Sequence, residues 1–94
     1  MKSMVLNDKN LQLEIIEYIV KIFKENFNIS LNLDINGDDN FFSNNINLST
    51  RNMTYLFFLS EERYNICFTE EEIDSISFYT LNGFGNFILN HIKT

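Results

Sequence analysis

A chain of 94 residues, 45% hydrophobic and 21% charged, can enclose one modest core and lacks the composition of a disordered protein. Its net charge of −6 excludes unassisted binding to nucleic acid, because phosphates repel an acidic surface. The same charge suits it to basic patches on other proteins. Cys67 is the only cysteine, which removes any intrachain disulfide and any cysteine-based metal site. The whole chain, 1–94, reads as a single domain.

No N-terminal segment couples a basic start to an unbroken apolar run, so secretion is not expected. The best apolar stretch, Leu11 to Phe27, carries Glu14, Glu17, Lys21, Lys24 and Glu25, too many charges for a membrane span. A cytoplasmic protein without a membrane partner is the expectation.

Taken in chain order, the first element is an amphipathic helix over about 8–26. Leu13, Ile16, Ile19, Val20, Phe23 and Phe27 recur at helical spacing, with Glu14, Glu17, Lys21 and Lys24 on the other face. Asp8 can cap its start. Asn28 to Leu48 is rich in Asn and Asp and reads as a long loop, with an extended piece suggested by the alternation of Ile29, Leu31, Leu33 and Ile35. Phe41, Phe42, Ile46 and Leu48 can pin that loop to the helices.

A second helix begins at Ser49 or Thr50, either a competent N-cap, and carries Met53, Leu56, Phe57, Ser60 and Tyr64 on one face. Tyr55, Phe58 and Leu59 extend its apolar surface. Thr69 and Glu72 form a capping box that opens a short third helix reaching about residue 75. The last helix spans about 80–92, with Leu81, Phe84, Ile88 and Ile92 on its buried side and Gly83 and Gly85 weakening its first turns. The fold class is therefore all-α, a small bundle of three longer helices plus one short helix, with a long loop between the first and second.

Few residues suggest chemistry. Asn32-Leu33-Asp34-Ile35-Asn36-Gly37 echoes half of a calcium loop, but the twelfth position is Ser43 rather than a bidentate Glu, so a polar turn is expected. His91 has no partner at ligand spacing and is expected to sit exposed near the end of the last helix. Cys67, between Ile66 and Phe68, reads as a buried inert thiol. Glu70, Glu71, Glu72 and Asp74 are explained by helix capping. There is no catalytic set, and no metal site is expected.

The order of elements from Phe41 to Ile73 resembles the middle of an acyl carrier protein. Such proteins have a loop ending Leu-Gly-x-Asp-Ser-Leu, a recognition helix, and a hinge of the form Phe-x-Ile-x-Ile-Pro-x-Glu. Laid without gaps, Ile46 takes the loop Leu, Tyr64 the Phe and Phe68-Thr69 the Ile-Pro, while Asp-Ser-Leu falls on Ser49-Thr50-Arg51. The segments Arg51 to Phe58 and Glu61 to Ile66 are similar to the divergent acyl-carrier-related proteins of bacteriocin-type peptide maturation systems. The resemblance covers roughly the C-terminal half.

What it implies is a non-catalytic carrier or docking protein whose partners are modification or biosynthetic enzymes of a peptide or acyl pathway. The cofactor it implies is 4′-phosphopantetheine, with Ser49 or Thr50 as the attachment residue. A phosphodiester there would meet free backbone amides at a helix N-terminus. The partner-binding residues would be Arg51, Tyr55 and Phe58, with exposed aromatics marking the face. The alternative is a small helical regulatory or structural interaction protein unrelated to carriers, dimeric through the apolar excess of its second helix.

Overall fold

The computed structural model describes residues 8–93. Ile15, Ile16, Ile19, Ile22 and Phe23, spaced at the helical period, wind Asp8–Phe27 into α1 with those five side chains buried. This face is rotated by roughly 60°, at 100° per residue, from the one the sequence suggests. Leu13, expected inside, is 48% exposed, and Ile15 and Ile22 replace it. The rotated face meets the last helix at Gly85, which has no side chain to hold it off. A Cβ there would lie 3.2 Å from Ile16 and 3.9 Å from Ile15. The α1 helix ends at Asn28, which takes the left-handed conformation (φ 58) while the Ile29 N–H reaches back to the Phe23 carbonyl at 2.9 Å.

In the loop that follows, the alternating stretch is helical rather than extended from Leu33 on. Leu33–Asn36 forms a single helical turn, α2, because Asn32 accepts the Asp34 N–H at 2.9 Å and so caps it. Asn36 in turn accepts the Asn32 N–H and donates to Asp39. These internal bonds make the Asn32–Gly37 stretch a polar turn, and Ile35 is left 73% exposed.

Phe41 then anchors the loop. Its N–H donates to the Tyr79 carbonyl at 2.7 Å and its carbonyl accepts from the Leu48 N–H at 2.8 Å. Its buried ring packs 5.0 Å from Phe23 and 6.3 Å from Phe84. Ile46 and Leu48 are buried beside it, whereas Phe42, also expected to pin the loop, is exposed against Tyr79. Consecutive side chains on so tight a loop cannot both face inward.

Thr50–Tyr64 forms α3 and Glu70–Ile73 forms α4, opened by the expected capping box of Thr69 and Glu72. The sequence does not suggest the next element, a 3-10 turn over Ile76–Tyr79. Phe78 fills its centre, buried among the rings of Phe57, Phe68, Phe84 and Phe87 at 4.9–5.7 Å. The Tyr79 hydroxyl donates to the Ile73 carbonyl at 2.6 Å and closes the segment. Leu81–Lys93 is α5, with Leu81, Phe84, Ile88 and Leu89 buried and Ile92 only half-buried.

The chain is thus an all-helical bundle of three longer helices. The short helix expected after Thr69 is α4, and the structure adds a helical turn in the long loop and a 3-10 turn before α5; no strand occurs among the described residues.

The 3-10 turn can press on α5 only because Gly83 has no side chain. A Cβ there would lie 1.7 Å from the Ser77 carbonyl oxygen. Helix propensity alone says that Gly83→Ala should stabilise, by about 1 kcal/mol. Packing predicts the reverse, a loss of about 3 kcal/mol or more in urea unfolding. A stabilised variant would show that the turn does not lie against the helix as described.

Candidate functional site

The residues that begin α3 fix its orientation. Leu48 and Met53, at the positions just before the cap and four into the helix, are both buried, the arrangement of a hydrophobic staple. Between them Ser49 is extended (φ −79, ψ 157) and its hydroxyl accepts the Asn52 N–H at 3.1 Å, the N-cap bond. Thr50 is the first helical residue, and its carbonyl accepts the Thr54 hydroxyl at 3.1 Å. Both Ser49 and Thr50 are exposed, as is Arg51.

From this start α3 divides sharply. Met53, Leu56 and Ser60 point into the bundle; the Ser60 hydroxyl is buried without a hydrogen-bond partner among the described residues. On the opposite side lie Arg51, Tyr55, Phe58 and Glu62, all exposed. Their spacing of four, three and four residues keeps them within about 60° of one another on the helix. Tyr55 is 44% and Phe58 55% exposed, although the Tyr55 ring still meets Phe27 edge-on at 6.4 Å. The three expected partner-binding residues therefore share one stripe, with the two candidate hydroxyl residues at its head. Glu62 completes the stripe, and its place eleven residues after Arg51 was readable from spacing alone.

The C-terminal end of α3 is held by charge and ring contacts. Arg63 stacks over the Tyr18 ring at 4.7 Å, and Tyr18 meets Tyr64 edge-on at 5.7 Å. Burial pushes both phenols up against the lowering pull of the Arg63 guanidinium, so they stay protonated. These residues line an open groove of about 550 Å³ between α1 and α3, rimmed by Glu14, Lys21 and Leu59. Nothing in the sequence signals it, since Tyr18 and Arg63 lie 45 residues apart. Asn65 ends the helix in the left-handed conformation (φ 54), and the Glu61 carboxylate accepts the Phe68 N–H at 2.9 Å.

Cys67 is exposed rather than buried. It lies in the non-helical link between Ile66 and Phe68, and with Phe68 turned into the core its neighbour faces outward. His91 is half-buried rather than exposed, with Nε2 2.7 Å from Glu72 Oε1. That partner is 19 residues away, brought close by the packing of α4 on α5.

Among the described residues, no cluster of three or more His, Cys, Asp or Glu could hold a metal ion. No described helix is long and apolar enough to cross a membrane. No family model, curated protein or solved structure matches this chain.

Glu72 supplies the clearest pH dependence. Burial pushes its carboxyl up, but the Thr69 N–H and the His91 ring outweigh that and hold it below its ordinary value of 4.5. A depressed carboxyl contributes stability above the unfolded value and loses it as pH falls through the folded one. The advantage of the native chain over Glu72→Gln should therefore be present at neutral pH and fade below about pH 4.5. An advantage that stayed constant down to about pH 3 would show that the charge of Glu72 contributes nothing.

Proposed function

We propose that this chain is an acyl-carrier-protein-like, non-catalytic protein that docks on the modification or biosynthetic enzymes of a peptide or acyl maturation pathway. One observation carries the reading. Arg51, Tyr55 and Phe58 share an exposed stripe on the helix that starts at Ser49 and Thr50, where the family it resembles presents its recognition helix. Exposed aromatics beside an arginine are the residue types that anchor protein interfaces.

Docking without a prosthetic arm has better support than carriage. The Ser49 hydroxyl is already engaged as the N-cap acceptor. Thr50 offers a secondary alcohol whose methyl group crowds attack on a phosphate donor. Arg51 is exposed where carriers place a Leu that enters the core. What favours 4′-phosphopantetheine is the helix N-terminus itself, whose free amides would receive its phosphate.

Intact mass after incubation with coenzyme A and a broad-specificity phosphopantetheinyl transferase separates the two. An unchanged mass is expected. Gain of one phosphopantetheine, abolished by Thr50→Ala or Ser49→Ala, would make the protein a working carrier. Docking itself is tested with the enzymes encoded by neighbouring genes. Their binding should weaken at least tenfold, about 1.4 kcal/mol, in the Arg51→Ala/Tyr55→Ala variant with its unfolding curve unchanged. Equal binding would remove the stripe from the interface.

A further inference from the structure

The outward stripe of α3 has a symmetry that docking on a foreign enzyme does not require. Arg51 and Glu62 are equidistant from its centre, as are Tyr55 and Phe58; both pairs are centred between Leu56 and Phe57. An antiparallel helix of the same sequence laid along it would put Arg51 opposite Glu62 and Tyr55 opposite Phe58. A two-fold axis would repeat both contacts. The four-three-four spacing is that of a short coiled-coil seam, the geometry in which two helices keep such a stripe facing each other. Isologous dimers need a patch that is complementary to itself, and this one is so in charge and in shape class.

We propose that the partner this stripe fits is a second copy of the same chain, paired antiparallel through α3. The centre of the contact is Tyr55 against Phe58 twice over, and its ends are two Arg51–Glu62 ion pairs. Of the residues flanking the stripe, Thr54 and Asn52 are uncharged, Leu59 is apolar, and the Glu61 carboxylate is held by the Phe68 N–H. The stripe runs over twelve residues, roughly 16 Å of helix, so it buries far less than the ~1,600 Å² of a standard interface. With a charge of −6 on each copy, the association is weak and reversible, with Kd between about 1 µM and about 1 mM. The inference rests on the stripe's own geometry, independent of the carrier reading. Self-pairing and enzyme docking through these residues would exclude each other.

The test is charge reversal read by sedimentation velocity over a concentration series. Arg51→Glu places an acid near the positive end of α3, and Glu62→Arg places a base near its negative end, so both variants are favoured by the helix dipole and keep the fold. Each variant alone should dimerise at least tenfold more weakly than the native chain, because like charges meet across the axis. Mixed one to one, the two should form a heterodimer of native affinity, since every acid then faces a base. A native chain that stays monomeric at about 1 mM would overturn the proposal. So would single reversals that leave association unchanged, or a mixture that fails to recover it.

Discussion

Phe41 is the fastening on which the rest of the bundle depends. It sits near the middle of a connection of more than twenty residues, which would otherwise be a costly length of unstructured chain in so small a protein. Its N–H is bonded to the 3-10 turn and its carbonyl to Leu48, while its ring enters the core between α1 and α5. Three separate parts of the chain are therefore tied at one residue. The tie to Leu48 has the longest reach, because Leu48 is the residue before the cap of α3 and so fixes where that helix begins and which way it faces.

Once α3 is set this way, its inner contribution is narrow. Met53, Leu56 and Ser60 face the core, and one of the three is a serine. Phe57 adds its half-buried ring at the edge of a core where Phe68, Phe78 and Phe84 are in mutual contact. The opposite side of the helix has little packing duty, with Tyr55 meeting Phe27 edge-on at 6.4 Å. Yet that side carries two large aromatics rather than the polar residues that would keep it solvated at least cost. Retaining Tyr55 and Phe58 there is hard to explain by folding and easy to explain by an interface. An interface with a second copy or with another protein would account for that surplus.

The features legible from sequence were those held by local forces. The three longer helices followed from the 3.6-residue period, and the Thr69–Glu72 capping box followed from two residues three apart. Ser49 as a cap was also readable, because its hydroxyl acts on an amide in its own first turn. What could not be read depends on contacts between distant segments. The rotated face of α1 packs Ile15 and Ile16 against Gly85, some seventy residues away. The 3-10 turn exists because Gly83 admits the Ser77 carbonyl, and Gly83 by itself reads only as a weak helix former. His91 looked solitary because its partner arrives through folding. The apolar run around Cys67 suggests burial, but that link turns alternate residues outward. In the candidate site three of the stripe's four members were expected, and the fourth, Glu62, stands at a spacing the sequence already carries, its exposure beside them supplied by the fold.

The central claim is that the outward stripe of α3 is surplus to folding. Urea unfolding of the Tyr55→Ser/Phe58→Ser variant at low protein concentration tests it most directly. Loss of two aromatics that contribute little to the core should leave the free energy of unfolding within about 1 kcal/mol of the native chain. A loss of about 3 kcal/mol or more, the cost of truncating a core aromatic, would mean that these rings serve the fold and that the stripe is no interface.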